Sequence, residues 1–378
     1  MNQKTICIIS PYARSVILFR YTLIQALKGL STNIIVLAPD WTDDLQKKVS
    51  LLGIKTESYP LKRTDISPIN NIKTLQTLYL QLKIHKPDVV LTYQAKPNIL
   101  GTLAAWLAGI PNRYVLIEGL GFAFSSGSEA LKKRLLRAVM IHLYKLSLRK
   151  ASKVFFLNSD DLNDFLRMKI IATNQGVVLG GIGVDLQEWS PAPPHFEPLT
   201  FTLIARLLRE KGVLEFVEAA RRIKSRYPFT RFLLIGPVDA NPGAIQEADV
   251  QRWVEEGILE WVPWTDDVKF WLRQTSVYVL PSYYREGVPR STQEALAMAR
   301  PVITTDVPGC RETVIHGKNG LLIPPRNVKA LVEAMEHFIR NPYLIEQMGQ
   351  ESRRLAEERF DARKFNAKIV SYLLGEKA

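Results

Sequence analysis

Short runs of Val, Ile, Leu and aromatic residues recur along this chain, and between most of them lies a longer stretch whose apolar positions return every three or four residues. Runs of the first kind predict buried strands, and stretches of the second predict amphipathic helices. In the first half, strands are predicted at 4–10, 34–38, 54–59, 89–92, 113–117 and 153–157, with a further apolar segment at 177–179. Helices are predicted after the 11–15 loop through residue 30, and at 70–85, 97–108, 131–150 and 160–168. Four prolines in the nine residues Ser190–Pro198 interrupt the pattern. A second series follows, with strands at 201–205, 232–236, 258–262, 277–280, 302–304 and 321–323 alternating with helices, the last at 361–374. Such alternation specifies an α/β fold with a parallel, doubly wound sheet in each half. The expected organisation is a first domain at 1–189, a linker at 190–199, a second domain at 200–358 and a terminal helical segment at 359–378.

Length and composition agree with two soluble-type domains, because 378 residues exceed what one core usually holds, and 47% hydrophobic with 23% charged residues is an ordinary globular balance. Cys7 and Cys310 are the only cysteines and build neither a disulfide framework nor a C-x-x-C zinc pattern, which favours a reducing compartment. The first ten residues run straight into a short strand without the apolar length of a signal peptide, and the longest apolar stretch, 99–110, is too short to span a bilayer. These features lead to the expectation of a cytoplasmic protein. Net charge is +13, and residues 1–198 hold 24 Lys and Arg against 14 Asp and Glu. Within that half, 131–150 mixes Lys132, Lys133, Arg134, Arg137, Lys145, Arg149 and Lys150 with leucines at helical spacing. A helix of this kind suits an anionic membrane surface, with cation stems snorkelling, and equally suits a solvated face. No zinc finger or aromatic-studded ribonucleoprotein string accompanies the charge, so nucleic acid is not expected as a partner.

The densest chemistry follows the strand at 277–280, in Pro281-Ser-Tyr-Tyr-Arg-Glu286-Gly287-Val288-Pro289-Arg-Ser-Thr-Gln-Glu294-Ala-Leu-Ala-Met-Ala-Arg-Pro-Val302. Gly287 lets backbone approach a ligand, Pro289 suits the first turn of a helix expected to run through Ala299, and the amides around Val288 to Ser291 make an anion site at its positive end. Glu286 and Glu294 stand with seven residues between them, one in the loop and one in the helix, at the carboxyl end of a parallel strand where ligands bind. Any strand-loop-helix turn shares part of this pattern. The whole string, however, closely resembles the E-x7-E signature of family-four glycosyltransferases, which have the GT-B architecture of two Rossmann-like doubly wound domains and an interdomain cleft.

That resemblance extends over nearly the whole chain and implies roles for named positions. Gly181-Ile-Gly-Val-Asp185 is similar to the family's Asn-Gly-Val-Asp before the interdomain crossing, and the last helix is expected to return to the first domain. Ala205-Arg206-Leu-Leu-Arg-Glu-Lys211-Gly212 resembles the Gly-Arg…Lys-Gly loop, which implies Arg206 and Lys211 as diphosphate contacts, although Ala205 replaces the usual Gly. Fixed cations stabilise the charge that develops on a departing diphosphate. Glu286 corresponds to the glutamate that touches the transferred sugar, and Glu294 to the one that accepts ribose hydroxyls. Gly287 and Val288 amides would cradle oxygens, Gly236 resembles the nucleotide-facing glycine, and Trp264 follows the strand near the expected base-reading loop. Where many members carry a His, this chain has Glu118-Gly-Leu-Gly, similar to a bacterial branch that adds N-acetylgalactosamine to a monosaccharide on undecaprenyl diphosphate; Phe19-Arg20 also fits that branch. Glu118 is thus a candidate catalytic carboxylate, with a strand-end cap as its plain alternative.

The chain contains no D-x-D triplet, and no metal or other cofactor is expected. The resemblance implies a retaining, metal-independent transferase that moves an N-acetylhexosamine, foremost N-acetylgalactosamine, from a UDP-sugar to a polyprenyl-diphosphate-linked saccharide, peripherally associated with the inner face of the plasma membrane. Two rivals share the scaffold: an enzyme of the UDP-N-acetylglucosamine 2-epimerase type, and a basic, non-catalytic binding protein.

Overall fold

A computed structural model describes residues 3–30, 32–62, 65, 67–124, 131–239 and 243–375. They divide into two compact units: residues up to 123 with 131–182 and 363 onward form one, and 183–362 with Phe124 form the other. The first boundary falls at 182/183, ahead of the proline-rich stretch at 190–198.

The first unit contains β1 (Thr5–Ile9), α1 (Ala13–Gly29), β2 (Asn33–Leu37), α2 (Asp43–Ser50), β3 (Lys55–Glu57), α3 (Pro68–His85), β4 (Val89–Tyr93), α4 (Thr102–Leu107), β5 (Asn112–Ile117), α5 (Leu131–Leu148), β6 (Lys153–Phe156), α6 (Ser159–Arg167) and β7 (Gly176–Val178). Its seven strands are parallel, in the order β3-β2-β1-β4-β5-β6-β7. The chain leaves β1 toward one edge and returns to β4 on its other side, so the carboxyl ends of β1 and β4 form a topological switch point, where open α/β sheets bind ligands. Right-handed crossovers then place α3, α4 and α5 in one layer on the same face of the sheet.

Two strands and two helices depart from expectation for local reasons. The 54–59 segment keeps only three paired residues, because β3 is an edge strand with a ladder on one side. Strand pairing over 258–262 begins only at Glu260. The helix predicted at 97–108 opens as a π-turn, Pro97–Gly101, in which buried Asn98 donates to the Leu116 carbonyl (2.9 Å) and accepts from Thr92 Oγ1 (2.7 Å). Helix α2 was not predicted, since Asp43–Ser50 is short and weakly apolar. It is held by its ends: the Thr42 side chain caps Leu45 N–H, Asp43 and Asp44 sit in the first turn, and Lys47 and Lys48 in the last.

The second unit runs β8 (Thr200–Ile204), α7 (Val213–Lys224), β9 (Arg231–Ile235), α8 (Glu247–Glu255), β10 (Glu260–Val262), α9 (Val268–Arg273), β11 (Val277–Leu280), α10 (Arg290–Ala297), β12 (Val302–Thr305), β13 (Gly320–Ile323), α11 (Val328–Arg340) and α12 (Tyr343–Arg359). The parallel order is β10-β9-β8-β11-β12-β13, with its switch point between β8 and β11. Helix α10 stops at Ala297 rather than Ala299. Ala299 turns left-handed (φ 60°), and the Arg300 N–H bonds the Ala295 carbonyl (2.9 Å), a Schellman-type ending. Helix α13 (Ala362–Leu374) belongs, from residue 363, to the first unit, where the Tyr372 carbonyl accepts from Tyr114 Oη (2.7 Å) and Asn366 Nδ2 reaches Thr22 (3.1 Å).

The core of the second unit gathers around Phe232, stacked on Phe201 (5.5 Å between centroids) and edge-on to Phe216 (5.7 Å), all fully buried. Truncating such a ring loses transfer free energy and leaves a cavity. Phe232→Ala should therefore cost about 3–5 kcal/mol, measured by denaturant unfolding; a change within experimental error would show that the site repacks.

Candidate functional site

Strands β9, β8 and β11 are neighbours, so the loops leaving their carboxyl ends lie side by side, and these loops hold most of the residues singled out from the sequence. The loop after β8 carries Arg206 and, in a short 3-10 turn at Arg209–Lys211, Lys211. Lacing by the backbone fixes its position. Leu207 N–H donates to the Pro237 carbonyl (3.0 Å) and Arg209 N–H to that of Gly243 (2.8 Å), while the Glu210 carbonyl accepts from Tyr283 N–H (2.9 Å), Tyr284 N–H (3.1 Å) and Ser282 Oγ (3.2 Å).

Two glycines make these approaches possible. A Cβ on Gly212 would stand 2.2 Å from the Pro281 carbonyl oxygen, and one on Gly236 1.9 Å from that of Ala205; both glycines have positive φ, 77° and 143°. No other residue fits either place.

Onto this frame the charged groups are set in pairs. Lys211 Nζ is bonded to Glu286 Oε1, which also accepts from Ser282 Oγ (3.1 Å), and the ammonium lies 5.5 Å from the centroid of the Tyr284 ring. Arg206 donates to Asp239 Oδ2 (2.6 Å). Burial opposes the charged guanidinium, but the Asp239 carboxylate more than offsets that cost and lifts its pKa above the usual arginine value, with smaller contributions from Tyr284 and Glu286. Glu294 receives Arg290 Nε from one turn earlier in α10 (3.0 Å). Its pKa is raised, because burial outweighs the pull of Arg290. Behind the carboxylates, the buried Tyr278 hydroxyl bonds Ser291 Oγ (2.7 Å) and the Ile204 carbonyl (3.1 Å), tying β11 and α10 to β8.

The structure thus brings Arg206, Lys211, Gly236, Glu286, Gly287, Val288 and Glu294 to one edge of one sheet. The Val288 side chain is itself buried, so only its backbone is suited to a ligand. Trp264 follows β10 at the sheet margin and is half exposed, whereas Trp261 Nε1 donates to the Gly236 carbonyl (3.0 Å). Sequence reading passed over Ser282, Asp239 and Tyr278. Asp239 was within reach, three residues beyond Gly236 on the same strand-end loop; the Tyr278 hydroxyl looked like part of an apolar strand.

Glu118 belongs to the first unit, directly after β5. Its Oε1 is bonded to Arg20 Nη2 from α1, and Arg20 is 1% exposed against 14% for the Glu118 side chain. Among the described residues, no group of three or more His, Cys, Asp and Glu side chains is gathered as a metal-holding set.

Two parallel-sheet units with charged loops at a strand switch point define the GT-B class of sugar-nucleotide enzymes. Residues 6–158 match the family described as "Glycosyl transferase 4-like" and residues 198–341 "Glycosyl transferases group 1". A curated relative, the N,N'-diacetylbacillosaminyl-diphospho-undecaprenol alpha-1,3-N-acetylgalactosaminyltransferase of Campylobacter jejuni, is 30% identical over 340 residues, covering 86% of this chain and 87% of its own. The UDP-Gal:alpha-D-GlcNAc-diphosphoundecaprenol alpha-1,3-galactosyltransferase of Escherichia coli is 27% identical, covering 72% and 71%. The fold is shared with Anabaena HepE in complex with UDP (TM-score 0.73, 18% identity, 98% of this chain and 100% of that one) and with a sucrose-phosphate synthase of Thermosynechococcus elongatus (0.79, 18%, 98% of each). The chain belongs to the group 1, family-four glycosyltransferases, and it is a glycosyltransferase.

A carboxyl whose pKa is raised by folding holds its proton more tightly in the folded chain, so its ionisation removes stability as pH rises from the unfolded value to the folded one. Glu294→Gln removes that cost while keeping an acceptor for Arg290. At neutral pH the variant should melt at or above the parental temperature and yet bind UDP at least tenfold more weakly by calorimetric titration, the loss expected for a charge-assisted contact of about 1.5–3 kcal/mol. A lower melting temperature with unchanged UDP affinity would make Glu294 a structural group.

Proposed function

We propose that this glycosyltransferase moves N-acetylgalactosamine, or a closely related N-acetylhexosamine, from its UDP donor to a polyprenyl-diphosphate-linked saccharide, with retention of configuration and without a metal, in polysaccharide or glycan assembly. The observation that carries this reading is the convergence of Arg206 and Lys211 with Glu286 and Glu294 on the carboxyl edge of one sheet, in a chain 30% identical to a transferase of that name. As the bond from the anomeric carbon to the diphosphate breaks, charge grows on the phosphate, and two fixed cations stabilise it. The acceptor oxygen bonds to the same face of the sugar, and its proton passes to the departing phosphate oxygen. Glu286 aligns sugar hydroxyls, Glu294 those of the ribose, and Glu118 orients the acceptor hydroxyl or offsets positive charge on the sugar ring.

A lipid-linked acceptor brings the proposed reaction to a membrane surface, and the cytoplasmic face is the one proposed. Helices α3, α4 and α5 contain no Asp or Glu, and they expose Ile69, Ile84, Trp106, Leu131 and Leu135 as well as Arg134 and Arg137, a composition that suits an anionic bilayer. The Lys132 side chain of the same cluster lies outside the described residues. Among the described residues no helix is long and apolar enough to cross a membrane.

Incubation with UDP-N-acetylgalactosamine and a polyprenyl-diphosphate-linked monosaccharide should release UDP and give an α-linked product, with activity largely unchanged in excess EDTA. Loss of activity that Mn²⁺ or Mg²⁺ restores would overturn the metal-independent account, and absence of transfer with any UDP-sugar would overturn the reaction. Arg206→Ala should weaken UDP binding by about 2–5 kcal/mol, and Glu118→Gln should lower turnover about 100-fold with UDP affinity unchanged.

Each cation near an anionic bilayer is worth about 1 kcal/mol. Lys133, Arg134 and Arg137 together replaced by Gln should release the protein from phosphatidylserine-containing liposomes while sparing UDP binding. Equal sedimentation of variant and parent would remove this surface from the account.

A further inference from the structure

In the first unit, the carboxyl ends of β1 and β4 carry a buried polar cluster that no donor contact uses. Tyr93, the last residue of β4, bonds Ser10 Oγ (2.6 Å) and Ser15 Oγ (2.8 Å), and Tyr59 Oη donates to the Ser10 carbonyl (2.7 Å). Over the Tyr93 ring, 4.3 Å from its centroid, lies the guanidinium of Arg20. Its Nη1 donates to the Phe19 carbonyl (2.8 Å), its Nη2 to Glu118 Oε1, and its Nε is buried without a partner.

This is a costly way to cap a strand. An apolar side chain would fill the space without taking a charge out of water, and buried ion pairs are seldom worth their desolvation as stabilisers. What the arrangement does provide is a fixed carboxylate. The planar guanidinium presents its donors in a fixed fork, Tyr93 stops it from tilting, and the two serines stop Tyr93 from turning. Of the two carboxylate oxygens only Oε1 is taken: among the described residues no hydrogen bond holds Oε2, and the side chain keeps some exposure. One oxygen is anchored and the other is left to a ligand.

We propose that Arg20 is a positioning residue, which anchors Glu118 through Oε1 so that Oε2 meets a hydroxyl of the sugar substrates during transfer. The proposal rests on the role given to Glu118 above. Groups of this kind, one step removed from the substrate, act on the reaction rather than on ground-state binding.

The experiment compares Arg20→Lys, Arg20→Met, Glu118→Gln and the double variant Arg20→Met with Glu118→Gln, using UDP-N-acetylgalactosamine and the lipid-linked monosaccharide. Melting temperatures are recorded for each protein. Turnover should fall about tenfold in Arg20→Lys and about 100-fold in Arg20→Met, with the donor KM within about twofold of the parent. In the Glu118→Gln background, Arg20→Met should reduce turnover by less than about twofold further, because the group it positions is already gone. If Arg20→Met does not fold, Arg20→Lys alone and combined with Glu118→Gln supplies the same cycle. Parental turnover in Arg20→Lys, or losses that multiply in full in the double variant, would overturn the proposal while leaving Glu118 in place. Parental turnover in Glu118→Gln would instead remove the role of Glu118 itself, and this inference with it.

Discussion

One carbonyl group holds the loops after β8 and β11 together. The Glu210 oxygen accepts two backbone N–H groups and a hydroxyl from 282–284, which ties the cation-bearing loop after β8 to the carboxylate-bearing loop after β11. Backbone groups buried at such a junction must be satisfied, and here they are satisfied across the gap between the two loops, which fixes its width. The glycine at 212 follows from the same constraint, since any side chain there would push the Pro281 carbonyl away. Lys211 and Glu286 are then brought together by the chain path itself, and their ion pair confirms a spacing that the backbone has already set.

The strand order explains why the signature residues converge although they are far apart in sequence. Running outward from β8 through β9 to β10 and then returning to β11 leaves the ends of β9, β8 and β11 adjacent, so residues 206, 236 and 286 share one edge. The periodicity of the chain revealed this alternation, because buried parallel strands are short apolar runs and helices of this size repeat every three to four residues. Segments whose stability comes from elsewhere were harder to read. Helix α2 depends on its cap and its end charges, β3 is trimmed by lying at an edge, and Pro97–Gly101 winds as a π-turn around the buried Asn98.

The candidate site was legible to the same uneven degree. Charged residues at fixed spacing, such as Arg206, Lys211, Glu286 and Glu294, stand out because such groups have no place in an apolar core. Their partners do not. Asp239 on Arg206 and Ser282 on Glu286 are ordinary residue types at unremarkable positions, and Arg20 stood out only as part of Phe19-Arg20, with no sign that it would reach Glu118; only folding brings these pairs into contact. Tyr278 is the extreme case, a residue that reads as strand core and proves to be the hydroxyl that pins α10 to β8.

The pairing of Arg206 with Asp239 and Lys211 with Glu286 means that each of these cations already has a counter-charge of its own. In the function proposed above, a nucleotide diphosphate entering this site would displace resident carboxylates, so its arrival would resemble ion exchange more than capture by a naked positive field. The same resident anions are on hand to reclaim the cations once the sugar has gone. A resin of this kind gives up its bound ion as readily as it takes it, and in that proposal the spent nucleotide would leave against a ready replacement rather than an open charge.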